Sequence, residues 1–215
     1  MDQARIVIEA KVLEALGEGG ALAPAKTEGI CVPYLVEMNE NQHVLIMEDL
    51  GNWPNLGTWL RDPERLVSDA MTATGSGRAL GGFIGALHRI SSGDMTLARS
   101  LNNRSIQQTR LDVHYRAVRG YCARACLADA DELGERVELF GESLLEPGQC
   151  VVMGDLWPPS ILVAESGLGL IDWEFATYGR PAQDVGHLAA HLWMHAHRAL
   201  TVEAAAKTRD FLHGF

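Results

Sequence analysis

Apolar and polar positions along this chain alternate between two periods. Between residues 4 and 16, Ile6, Val7, Ala10, Val12, Leu13 and Leu16 recur at helical spacing, and Gly17, Gly19 and Gly20 stop the run. Residues 30–37 and 43–48 are rich in β-formers and flank the polar MNENQ, which predicts a hairpin. A turn-rich connector, Gly51-Asn52-Trp53-Pro54-Asn55, follows. From Pro63 to about Ile90 the pattern is helical, with the TGSG at 74–77 expected to break it into two helices. Further helices are predicted over 109–127 and 129–145. The chain then returns to β at 150–153, 161–164 and 168–171, and closes with helices over 181–197 and 201–212.

This order predicts an α+β fold: a short two-stranded element, a helical body and a late β-hairpin. A chain of 215 residues with 47% hydrophobic content can bury a real core. A formal charge of −10 argues against nucleic acid or an anionic membrane as a partner. No apolar run of about 18 residues and no signal-peptide pattern is present, so a cytoplasmic protein is expected. Cys31, Cys122, Cys126 and Cys150 read as free thiols.

The chemistry concentrates between Val151 and Trp193. Two apolar runs each deliver an acid at their end, Asp155 and Asp172, seventeen residues apart. Gly154 lets the chain bend, and Trp157 with Pro158-Pro159 stiffens the loop that follows. Ser160 and Glu174 come shortly after the two acids. Singly, each acid is an ordinary turn residue. Together they have the form needed for proton abstraction or Mg²⁺ binding. His187, His191 and His195 recur every four residues on one helix, which could present imidazoles to a metal or a polar stripe to the surface. Trp157, Arg180 and His187 are candidate substrate contacts, Arg180 for an anion.

The pattern MGDLWPPSIL, then LIDWEF, then QDVGH resembles the aminoglycoside-phosphotransferase/choline-kinase-like branch of the kinase superfold, whose motif is H-G-D-x-x-x-x-N followed by D-x-D or D-x-E. The resemblance implies that Asp155 is the catalytic Asp, that Asp172 carries Mg²⁺ with Glu174 as second acid, and that Asp184 steadies the catalytic loop. Ser160 falls where Asn usually holds the metal, and methylthioribose-kinase-like relatives carry Ser there. IEAKVLEAL resembles the helix whose Glu, here Glu9, pairs with the ATP-gripping Lys. VLIMEDLG resembles the strand and hinge where adenine docks, and LGGFIGALHRI the central helix. The implied architecture is a large kinase-like lobe at 53–215 and a remnant small lobe at 1–52.

Only eight residues precede Glu9, and they contain neither Lys nor a Gly-rich loop; Lys11 shares the helix of Glu9. Phosphoryl transfer depends on such a phosphate grip. The leading expectation is therefore a small-molecule enzyme on a truncated kinase fold. It would use Asp155, Asp172 and Glu174 for lyase, isomerase or cyclase chemistry, as in secondary metabolism, without ATP. The alternatives are a pseudokinase-like binding protein and a residual ATP- and Mg²⁺-dependent phosphotransferase. No cofactor is expected beyond Mg²⁺ at Asp172 and Ser160. The expected partners are a small-molecule substrate and a second copy of the chain, docked through apolar surface at 4–48.

Overall fold

The computed structural model describes residues 5–62 and 72–215. Helix α1 (Arg5–Leu16) sends Ile8, Val12, Leu13 and Leu16 into the core. A 3₁₀ turn (Ala23–Ala25) leads to β1 (Ile30–Cys31). The apolar run expected to be one strand over 30–37 splits at Val32-Pro33-Tyr34, because Pro cannot donate to a ladder. Its first part joins a distant partner. Its second part, β2 (Leu35–Asn39), forms the expected antiparallel hairpin with β3 (Val44–Met47).

Helices α2 (Leu56–Arg61) and α3 (Ala73–Ser91) follow. The break expected at TGSG does not occur: α3 runs through Gly75-Ser76-Gly77, and the segment 63–71 lies outside the described residues. Thr72 caps α3 by accepting the Gly75 N–H at 3.0 Å. Gly77 serves packing, since a Cβ there would stand 2.1 Å from the Phe211 carbonyl oxygen. Then come α4 (Met95–Ser100), α5 (Arg104–Arg110), a π-helical segment (Leu111–Tyr115), α6 (Val118–Arg124) and α7 (Ala130–Ser143).

The β-rich return comprises β4 (Cys150–Val152), β5 (Ile161–Ala164), β6 (Gly167–Leu170) and β7 (Thr177–Gly179); α8 (Ala182–His197) and α9 (Val202–Gly214) end the chain. β5 and β6 form an antiparallel hairpin, and β1 adds to β6 in parallel, Ile30 opposite Leu168. β4 pairs with β7. The core is shared across residue 52: Ile8, Leu13 and Ile30 belong to the same buried cluster as Leu87, Leu170 and Trp173. Of the two elements expected to expose apolar surface, α1 turns its apolar face inward, whereas the β2–β3 hairpin leaves Val36, Val44 and Ile46 exposed.

Candidate active site

Asp155 follows β4, and Asp172 follows β6. Gly154 makes the bend before Asp155 with φ +82°, and a Cβ there would stand 2.2 Å from the Phe175 carbonyl oxygen, so only glycine fits. Asp184, fully buried in the first turn of α8, fixes this bend from below. Its Oδ2 accepts the N–H of Met153 at 3.0 Å and its Oδ1 that of Gly154 at 2.9 Å, and His88 Nε2 lies 2.9 Å from Oδ2. The rigid loop continues through Ser160, whose hydroxyl lies 3.2 Å from the Asp155 carbonyl oxygen and 2.9 Å from that of Trp157. That hydroxyl braces the loop.

On the second loop, Asp172 has φ +69°, a left-handed conformation that Asp tolerates better than most residues. Trp173 is driven into the core, where it meets Phe83 edge-on at 6.4 Å and donates its indole N–H to the Leu170 carbonyl. Its two acidic neighbours are thereby held outside the core. Glu9 of α1 accepts the Trp173 backbone N–H at 3.0 Å. Asn103 donates to the carbonyls of Glu174 and Ala176, securing the exit of the same loop.

The carboxylates form one electrostatic group. Burial raises the pKa of Asp155, Arg110 opposes that shift, and the negative charge of Asp172 adds to it. Asp172 is open to solvent on its own surface, yet loss of water around it raises its pKa, with Arg5 opposing. Glu174 is raised by burial, opposed by Arg5, and raised further by Asp172 and Asp155. Such a group favours a shared proton or a bound cation.

Two guanidinium groups answer these acids, and sequence reading missed both. Arg5 Nη1 pairs with Glu174 Oε1 at 2.7 Å. Arg110, 94% buried by its 6% exposure, donates to the Gly154 carbonyl oxygen and stands 3.9 Å from Asp155 Oδ1. Neither Arg sits in a local motif, so the sequence carried no signal beyond the helical placement of each.

Of the other candidate residues, His187 does join the acids: its Nδ1 lies 3.5 Å from Asp155 Oδ1. Trp157 packs its ring 5.7 Å from that of His191. Arg180 pairs with Glu146, and its backbone N–H donates to Gln183. Of the two roles open to the histidine stripe, the contacts bear on the first two rings. His187 and His191 meet each other, Nε2 to Nε2 at 3.1 Å, and no cluster of three or more His, Cys, Asp or Glu suited to a metal occurs among the described residues.

Mg²⁺ asks less of a protein, since it is commonly held by one or two carboxylates together with substrate phosphates. Asp172 fits that need: no hydrogen bond or salt bridge among the described residues takes up its carboxylate. Glu174 fits as a second oxygen donor once Arg5 yields.

Comparison with known proteins agrees with this geometry. A 4-hydroxytryptamine kinase from Psilocybe cyanescens is 22% identical over 192 residues, covering 85% of this chain and 52% of the kinase. The chain thus spans about half the length of that relative. Among solved structures, the streptomycin–ATP complex of APH(2")-IIa aligns with a TM-score of 0.55 at 14% identity, over 99% of this chain and 67% of the other. A glucosamine kinase aligns at 0.52 and 19% identity, over 90% of this chain and 55% of the other. These likenesses establish the kinase-like α+β fold. The model of the phosphotransferase enzyme family matches residues 30–213, from β1 through both acids to α9, and the chain belongs to that family.

Proposed function

We propose that this chain carries the acceptor and metal side of an ATP-dependent small-molecule phosphotransferase. The observation that supports it is the single electrostatic group of Asp155 and Asp172, each delivered by a strand end, the first braced by Asp184 and the second followed by a residue that Glu9 holds. In this reading Asp155 receives the proton of the acceptor hydroxyl. Arg110 holds its carboxylate in place. Asp172, with Glu174, holds Mg²⁺, which when bound neutralises charge on the nucleotide phosphates. The family match supports phosphoryl transfer, and the lyase, isomerase or cyclase chemistry expected from the sequence finds no support among the relatives.

The acceptor in this reading is a hydroxylated amine. Hydroxytryptamine, glucosamine and aminoglycosides, named for the relatives, all combine the two groups. A chain with net charge −10 and clustered acids favours a cationic amine over an anionic substrate. The test incubates the protein with Mg²⁺-ATP and a panel of hydroxylated amines, and follows phosphorylated product by mass spectrometry. Product that disappears with EDTA and in Asp155→Asn supports the assignment. Conversion of a panel member without nucleotide, or no conversion of any, overturns it.

One observation favours a second reading, a binding protein without turnover: Arg5 already supplies a cation to Glu174. Calorimetry then shows amine binding that is indifferent to Mg²⁺ and ATP.

A further inference from the structure

We propose that His187 and His191 form a proton exit for Asp155, leading from the acid cluster to a cavity beside helix α8. The inference rests on the phosphotransferase reading for the source of the proton, and on geometry for the path.

Three groups lie in series. Asp155 Oδ1 is 3.5 Å from His187 Nδ1, and His187 Nε2 is 3.1 Å from His191 Nε2. His191 in turn lines a cavity of about 310 Å³ with Arg61, Met194, His195, Arg198 and Leu200. The i, i+4 spacing on α8 stacks the two rings, with centroids 4.8 Å apart, and Trp157 packs against the second ring.

Arg110 sets the direction of the path. Its Nη2 lies 3.4 Å from His187 Nδ1. A guanidinium can only donate, whereas the Asp155 carboxylate 3.5 Å from the same nitrogen can only accept; the path assigns Nδ1 as the nitrogen that accepts from Arg110. The ring proton of neutral His187 therefore sits on Nε2 and points at His191 Nε2, whose own proton then sits on Nδ1. Each nitrogen facing inward can accept, and each facing outward can release.

The transfer balances. The acceptor oxygen forms a bond to the γ-phosphorus of ATP, the bond from that phosphorus to the bridging oxygen breaks, and ADP leaves. The hydroxyl proton passes to Asp155 Oδ1 and on to His187 Nδ1. The Nε2 proton of His187 moves to His191 Nε2, and the Nδ1 proton of His191 leaves to solvent in the cavity.

Burial shifts the first two stations in opposite directions. His187 is depressed to about 4 by burial, then by Arg110, His191 and His114, with Asp184 opposing. Asp155 is raised by burial. His191 is lowered by burial while the charge of Asp155 raises it.

The test has two arms. Nitrogen-15 NMR of the histidine rings in the intact chain, without substrate, reads the tautomers at neutral pH. His187 as the Nε2–H form and His191 as the Nδ1–H form support the path; His187 as the Nδ1–H form overturns it, whatever the chain's activity. The second arm measures turnover of whichever hydroxylated amine the wild type phosphorylates. His191→Ala lowers kcat about ten-fold, less than the roughly 10²–10⁴ of a direct acid–base group, with KM unchanged. Added imidazole, which the cavity can admit, restores the rate in proportion to its neutral form. Full activity in His191→Ala, or loss that imidazole does not restore, overturns the path. If the wild type phosphorylates nothing, the functional reading falls and the tautomers alone decide the path.

Discussion

Glu9 accepts the backbone N–H of Trp173 at 3.0 Å, so the first helix of the chain holds the residue between Asp172 and Glu174. Burial raises the pKa of Glu9, the Trp173 N–H lowers it, and the charges of Asp172 and Glu174 raise it again. The carboxylate expected from the sequence to have lost its cation is thus the acceptor that fixes the acid loop. Trp173 carries the consequence outward: with its side chain in the core and its backbone held by Glu9, both flanking acids are oriented from one anchor.

Replacing Glu9 separates acceptor from charge. Glu9→Gln keeps an oxygen for Trp173 and removes a charge that burial disfavours, so stability at neutral pH stays within about 1 kcal/mol of wild type. Glu9→Ala leaves a buried N–H unpaired and costs about 1–3 kcal/mol. Urea denaturation compares the two, and equal losses would show that packing, not the acceptor, matters.

Asp184 is under heavier demand. Its carboxylate accepts two backbone N–H groups and faces His88. In Asp184→Asn one oxygen becomes an NH₂ that points at a donor. The expected loss is about 2–4 kcal/mol, in line with breaking a buried charged network. A loss under 1 kcal/mol would mean that the loop before Asp155 stands without it.

Periodicity made α1 and α8 legible, because each buries one face at a regular spacing, and the short apolar runs bounded by glycine and acids marked β5 and the fully buried β6. The acids at the two strand ends were legible for the same reason: an abrupt charge after an apolar run marks an exit from the core. The parallel pairing of β1 with β6 was not, since a two-residue strand joining a partner far along the chain leaves no local trace. Arg5 and Arg110 were hidden by their ordinariness. An Arg on an amphipathic helix reads as a solvated face until its neighbours in space are known.

The glycines of α3 were misread for a related reason. Gly77 weakens a helix by its propensity, but its lack of a side chain lets α9 approach, with the Phe211 carbonyl where a Cβ would be. Gly77→Ala therefore gains helix propensity worth about 1 kcal/mol and loses more to the clash with backbone, for a net destabilisation of about 1–3 kcal/mol. A melting temperature equal to or above that of wild type would place α9 farther from α3.

Mg²⁺ binding can be checked without turnover. A cation that settles on Asp172 and Glu174 binds the native state alone, and stabilises it by about 1.4 kcal/mol at roughly ten times its Kd. Thermal shift in a Mg²⁺ series reads this. Asp172→Asn removes the response, and Arg5→Gln strengthens it by freeing Glu174 from its 2.7 Å partner. A response that survives in Asp172→Asn would move the cation elsewhere.

Asp155 and His187 make opposite contributions to stability as pH changes. The folded pKa of Asp155 lies above its ordinary 3.8, so its contribution is complete below 3.8 and is lost as pH rises through the folded value. At neutral pH the wild type thus holds an ionised acid that the fold disfavours. Asp155→Asn keeps the shape without the charge, and should melt higher by about 2–4 °C per kcal/mol gained. That gap closes as pH falls toward 3.8. His187 runs the other way: depressed from 6.5 to about 4, it contributes fully above 6.5 and loses that contribution as pH falls through about 4. His187→Gln removes this acid-side loss and flattens the melting curve between those values, while leaving the Asp155→Asn gap at neutral pH in place. If Asp155→Asn instead melts lower at neutral pH, the pairing with Arg110 outweighs the burial of the acid, and the carboxylate is held chiefly by its ion pair.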